Sequence, residues 1–314
     1  MLQDEVISGL ISQIFSKKKD LKLAKYAIHK VLFKLKVELP EDSTIREHLP
    51  FYWYNYGPFS DVIESNIGAL KQEGILREYT TSEEKTILGL DKKIPIPEVD
   101  DFEEARKKLS SIVNHVDFFH FNSFVDELYR KYAPCTFMPL FKMDFMNTME
   151  SYVEMVSSGQ QTLDKFSGFY PDVDKLEDIL YDCEAELPSA ALFRSFNASF
   201  SSFVTEAGRV FDHIRKDGDN LLYLDEEVLH TAEVTWLTFT KGIRILDVGH
   251  DKYYNDRLDK WEALYNKSLT TFYTHIDNFS SGVLTEIEPA RLFTGSPGDK
   301  SKKILSSVID GYLA

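Results

Sequence analysis

Apolar residues recur at three- and four-residue steps over most of the chain, the spacing of amphipathic helices. In residues 4–15, Val6, Ile7, Leu10, Ile11 and Ile14 share one side of a short helix. The next stripe, Ala24, Ala27, Ile28, Val31, Leu32 and Leu35, predicts a helix capped by Asp20, running to about Val37 and ended by Pro40. Ser60 is placed to cap a third helix through about Gln72, with Val62, Ile63, Ile67 and Leu70 inward and Gly74 just past its end. Residues 75–79 and 85–90 then read as strands around the polar turn 80–84. Helix, helix, helix, hairpin is the order of a winged helix.

Ile94-Pro95-Ile96-Pro97 is the expected boundary, because paired prolines continue neither a helix nor a central strand. Residues 1–95 are therefore read as a winged-helix domain and 96–314 as an all-α domain. Helices are expected at roughly 101–132, 140–157, 172–186, 189–216, 225–248 and 251–279, long enough for an antiparallel bundle. The predicted fold class is mainly α: three helices plus a β-hairpin, then a helical-bundle domain.

Of the 314 residues, 43% are hydrophobic and 28% charged, which excludes a disordered chain. No apolar run approaches the ~18 residues of a membrane-spanning helix. Met1-Leu2-Gln3-Asp4-Glu5 lacks the basic-then-apolar order of a signal peptide. Cys135 and Cys183 are the only cysteines, so no disulfide framework organises the fold and a cytoplasmic location is expected. The net charge of −15 is uneven: residues 1–95 hold 14 basic and 14 acidic side chains, leaving 22 and 37 for the rest. A polyanion is repelled by the second part, so any contact with double-stranded DNA is expected within residues 1–95. The acidic part, 96–314, is expected to self-associate or bind a protein partner.

Three stretches carry a family likeness: Tyr26-Ala27-Ile28-His29-Lys30-Val31-Leu32-Phe33-Lys34-Leu35, then Phe51-Tyr52-Trp53-Tyr54-Asn55-Tyr56-Gly57-Pro58-Phe59-Ser60, then Leu70-Lys71-Gln72-Glu73-Gly74-Ile75-Leu76. Together they resemble the phage-associated winged-helix family that includes the Panacea antitoxin domains. The resemblance implies a winged helix-turn-helix fold, and with it DNA binding or a toxin–antitoxin role.

The expected phosphate-contacting residues are Lys17, Lys18, Lys19, Lys22 and Lys25, with Lys30 and Lys34 continuing the run. Ser65, Lys71 and Gln72 on the third helix and Lys85 on the wing complete the candidate DNA face. Asp61 and Glu64 on that helix, and Glu83 and Glu84 on the wing, oppose it, so a purely protein-binding winged helix is the alternative. Asp117/His120, Glu227/His230 and Asp247/His250 have the spacing of paired metal ligands, but the last two pairs are read on one helix, roughly 30 Å apart, and cannot share an ion. Arg244 and His250 have the spacing of an Arg–His ribonuclease signature without the polar residue that usually follows the arginine. Residues 295–301 have the wrong glycine spacing for a phosphate loop. A metal-dependent or ribonuclease activity thus ranks below a non-enzymatic DNA-binding regulator or antitoxin-like protein. No cofactor and no metal is expected.

Overall fold

The computed structural model describes residues 2–16, 20–82, 84–158, 173–217, 222–248 and 252–287. It is mostly helical, with a small antiparallel sheet region near the N-terminus. Among the described residues no helix is long and apolar enough to cross a membrane.

The first helix, α1 (Leu2–Ser16), buries Val6, Ile7, Leu10, Ile11, Ile14 and Phe15 as its periodicity requires. Each such side chain taken from water contributes about 1.5–3 kcal/mol. Residues Lys22–Leu23 form a short strand, β1, and α2 spans Lys25–Glu38. Asp20 is therefore not the cap of α2: it sits at φ 58, and the chain extends through β1 before the helix starts after Ala24. A single turn, α3 (Thr44–Glu47), leads to β2 (Tyr52–Tyr54) and β3 (Gly57–Phe59), an antiparallel pair with Tyr54 opposite Gly57. The pattern of apolar positions does not announce this hairpin. Gly57, at φ +89, makes it possible; a Cβ there would also press on the Tyr129 ring at 3.2 Å and on Lys30 Nζ at 3.3 Å.

Helix α4 (Asp61–Gln72) starts where Ser60 Oγ accepts from the Ile63 N–H at 3.4 Å. It ends at Gly74, φ +66, with Ile75 N–H donating to Leu70 O and Gly74 N–H to Lys71 O, the paired bonds of a Schellman cap. Strands β4 (Leu76–Thr80) and β5 (Thr86–Leu90) follow as a hairpin, and β1 joins β5, giving the order β1-β5-β4.

Helices α5 (Phe102–His115) and α6 (Phe121–Tyr132) replace the single helix expected over 101–132. The break is chemical: Asp117 Oδ1 accepts from the Phe119 and His120 N–H groups at 2.9 and 3.4 Å, an Asx turn that competes with helical bonding. Both helices pack on α2. Pro97 lies against α1, its Cδ 2.7 Å from where a side chain on Gly9 would begin. Thr44 Oγ1 donates to Asp100 O at 3.2 Å.

The chain divides into two compact units, 1–139 with 236–266, and 140–235 with 267–314. The expected boundary at residues 94–97 thus lies inside the first unit. The first unit ends with α7 (Phe137–Pro139), and the second begins with a π-helical stretch, Leu140–Met146, followed by α8 (Asn147–Ser157). Next come α9 (Val173–Ala185) and α10 (Arg194–Asp217), which pack on each other. Helices α11 (Leu222–Val248) and α12 (Leu258–Glu286) give residues to both units. Phenylalanines dominate the second core: Phe200 meets Phe141, Phe196 and Phe203 at ring distances of 5.5, 6.1 and 5.9 Å.

Candidate interaction surface

Lys17, Lys18 and Lys19 lie outside the described residues. Of the other predicted contacts, Lys22, Lys25 and Lys71 each meet a partner of their own. Lys22 on β1 holds its ammonium 3.9 Å from the Tyr79 ring centre. Lys25 opens α2 and reaches Glu64 Oε1 at 2.5 Å. Lys71 pairs with Glu78, and Arg77 on the same strand as Glu78 pairs with Asp91 at 2.9 Å. Ser65 and Gln72 are exposed on α4, and Lys85 is exposed just before β5.

Lys30 and Lys34 do not continue the exposed basic run. They are 3% and 8% exposed, because α5 and α6 cover the side of α2 that would face solvent in a free-standing N-terminal domain. Lys30 Nζ donates to Pro58 O at 3.0 Å, and burial lowers its pKa to about 7. Lys34 Nζ donates to Glu127 Oε1 at 2.8 Å.

Helix α4 and the β4–β5 hairpin are electronegative: residues 61–91 contain three basic and seven acidic side chains, a net of −4. His29 is buried beneath them. Its Nδ1 accepts from the Ser60 N–H at 3.3 Å, which leaves the proton on Nε2 to donate to Glu64 Oε2 at 3.4 Å. That bond, joined by Lys25, pulls the Glu64 pKa down to about 2. Burial in turn lowers the pKa of His29, keeping it neutral.

An apolar feature of this unit lies elsewhere. A groove of about 330 Å³ runs between the start of α2, the β4–β5 hairpin and the α5–α6 turn. Leu23, Tyr26, Ile87, Phe118 and Phe121 line it, with Lys22 and Lys85 among its polar walls. Phe118 and Phe121 stack at 5.9 Å, and Tyr26 meets Phe121 edge-on at 5.6 Å. Beside them Phe119 is 98% exposed, held outward by the Asp117 turn. Periodicity passed over this feature, yet it left one signal: Phe118, Phe119 and Phe121 cannot all lie on the buried stripe of one helix.

A second cluster in the same unit surrounds the β2–β3 hairpin. Trp236, Thr240 and Arg244 recur every four residues on α11 and face it. Trp236 Nε1 donates to Asn55 O and Thr240 Oγ1 to Asn55 Oδ1, each at 2.7 Å. Asp247 accepts the Trp53 N–H at 3.2 Å, so this carboxylate serves the hairpin backbone. The Arg244 guanidinium stands 4.9 Å from the Tyr54 ring centre and 4.5 Å from that of Trp261. Tyr52 packs on Tyr254 and Trp261 at 5.4 and 4.9 Å, and its hydroxyl donates to Asp61 at 3.3 Å. Arg257 also bonds Asp61.

His250, the proposed partner of both Asp247 and Arg244, and residues 295–301 lie outside the described residues. Asp117 and His120 form an exposed pair at 2.8 Å. His230 meets His275 at a ring distance of 4.9 Å in the second unit. Among the described residues no group of histidine, cysteine, aspartate and glutamate could hold a metal ion. No protein-family model, curated protein or solved structure matches this chain.

Proposed function

We propose that residues 1–95 are a winged-helix module and that the protein works without chemistry of its own, as an antitoxin-like factor that binds a protein partner. The module reading is supported by the order α1, β1, α2, α4, β4, β5, with α3 and the β2–β3 hairpin inserted between α2 and α4, and by β1 joining the β4–β5 hairpin, as in a wing. The observation that carries the partner reading is Phe119, 98% exposed beside an apolar groove. Aromatic side chains held in water next to a concave apolar surface are anchors for a partner. A tagged full-length chain is expected to capture a partner that a Phe119→Ser variant with the same circular dichroism spectrum does not. Equal capture by both would remove Phe119 from the interface.

Double-stranded DNA is the second reading, favoured by Lys22 and Lys85 on the walls of that groove. The net −4 of residues 61–91 works against it, since the helix and wing that would approach a duplex repel phosphate. Fluorescence anisotropy of a labelled duplex, with the full chain at low and near-physiological salt, separates the two readings. A steep salt slope supports DNA; a flat titration leaves the protein partner.

A further inference from the structure

Three lysine or arginine side chains are buried among the described residues: Lys30, Lys34 and Arg244. Lys30 donates to a backbone carbonyl and Lys34 to a carboxylate. Arg244, 6% exposed, differs from both. Its Nε is fully buried with no acceptor, and its guanidinium enters no ion pair among the described residues. The Tyr54 and Trp261 rings offset part of the charge but supply no oxygen to the in-plane N–H groups. The carboxylate that acts on Arg244 is Asp61, already bonded to Tyr52 and Arg257. Lys241, one turn earlier on α11, and Arg257 add positive charge. Solvent reaches the edge of the cluster, where Tyr253 is 41% exposed and the Arg257 side chain 37%.

A guanidinium with occupied ring contacts and an unmet buried Nε–H is preorganised for an acceptor that the described residues do not provide. We propose that Arg244, with Arg257 at its rim, recognises the oxyanion of a small ligand, a carboxylate or a phosphate. Either group presents two oxygens to the planar fork of an arginine. The site is independent of the groove beside Phe119, and either can fail without the other.

The test is a titration of the full-length chain with inorganic phosphate and, separately, with acetate and citrate, each against chloride at matched ionic strength. Tryptophan emission reports on Trp261, and the melting temperature on binding to the folded state. Saturable emission change and a raised melting temperature are expected with phosphate or with the carboxylates, and the active series identifies the group. Arg244→Met should abolish both responses. Arg244→Lys, which keeps the charge and loses the fork, should weaken binding about tenfold or more. Arg244→Met should also be no less stable than the parent in chloride alone, since it removes an unsatisfied buried donor. The proposal is overturned if no anion gives a saturable response, or if Arg244→Met responds as the parent does. A destabilised Arg244→Met, together with an unresponsive parent, would make Arg244 a structural clamp on the hairpin.

Discussion

The two units are held together by different chemistry. In the first, several aromatic rings carry polar tips that are used: Trp236 donates to Asn55, Tyr52 to Asp61, and His29 bridges Ser60 and Glu64. In the second, phenylalanine rings supply the packing, with Phe145 and Phe279 on Phe203 and Phe272 on Phe196. The difference teaches where specificity resides. Ring packing tolerates exchange of shape and volume, whereas a buried donor accepts few positions. The second unit has its own exception. Asp225 on α11 is fully buried, and neither oxygen has a hydrogen-bond partner among the described residues.

The largest test of this contrast is Phe200→Ala. It removes a ring in contact with three others at the centre of the second unit, and about 3–5 kcal/mol of unfolding free energy should be lost. Urea denaturation measures it, and a loss below about 1 kcal/mol would mean that the phenylalanine core is not what stabilises that unit.

Asp225→Asn should have an intermediate effect, and in the opposite direction. Burial, reinforced by Glu226, pushes the Asp225 pKa up to about 7 from 3.8. The folded state therefore holds a proton that the unfolded chain has released, and stability falls as pH rises from about 4 to about 7, then levels off. The asparagine variant should lose that limb and be more stable above neutrality by on the order of 1–3 kcal/mol. An unchanged pH profile in the variant would show that Asp225 finds a partner in solution.

Glu64→Gln in the first unit is the smallest effect and has the reverse slope. With its pKa held at about 2, Glu64 contributes stability that is present above about 4.5 and lost as pH falls toward 2. Because this side chain is 37% exposed, the loss at neutral pH should stay below about 1 kcal/mol. The same urea series, carried into acid, should show a shallower acid limb in the variant. A limb as steep as the parent's would assign acid sensitivity to other carboxylates.

Much of the fold was legible locally. The stripe of α1, the Ser60 cap, the Gly74 end of α4 and the β4–β5 hairpin each depend on residues within a few positions of one another. The candidate surface was legible only in fragments. Lysines opposite an apolar stripe read alike whether water or another helix faces them, so Lys22 and Lys25 could not be told from Lys30 and Lys34. The tie between α2 and α6 that decides the matter joins Lys34 to Glu127, 93 positions away.

By itself the sequence determined most of the long helical segments and where some of them start and stop, because helix periodicity, capping and left-handed glycine positions are set by neighbours in the chain. The tertiary structure alone decided that residues 51–60 fold as a hairpin fastened to a helix 181 positions later, that Phe119 stands in water, and that Arg244 meets two rings without an ion pair among the described residues. Those outcomes rest on which surfaces come together. A pattern of apolar and polar positions says which residues avoid water, but not which partner covers them.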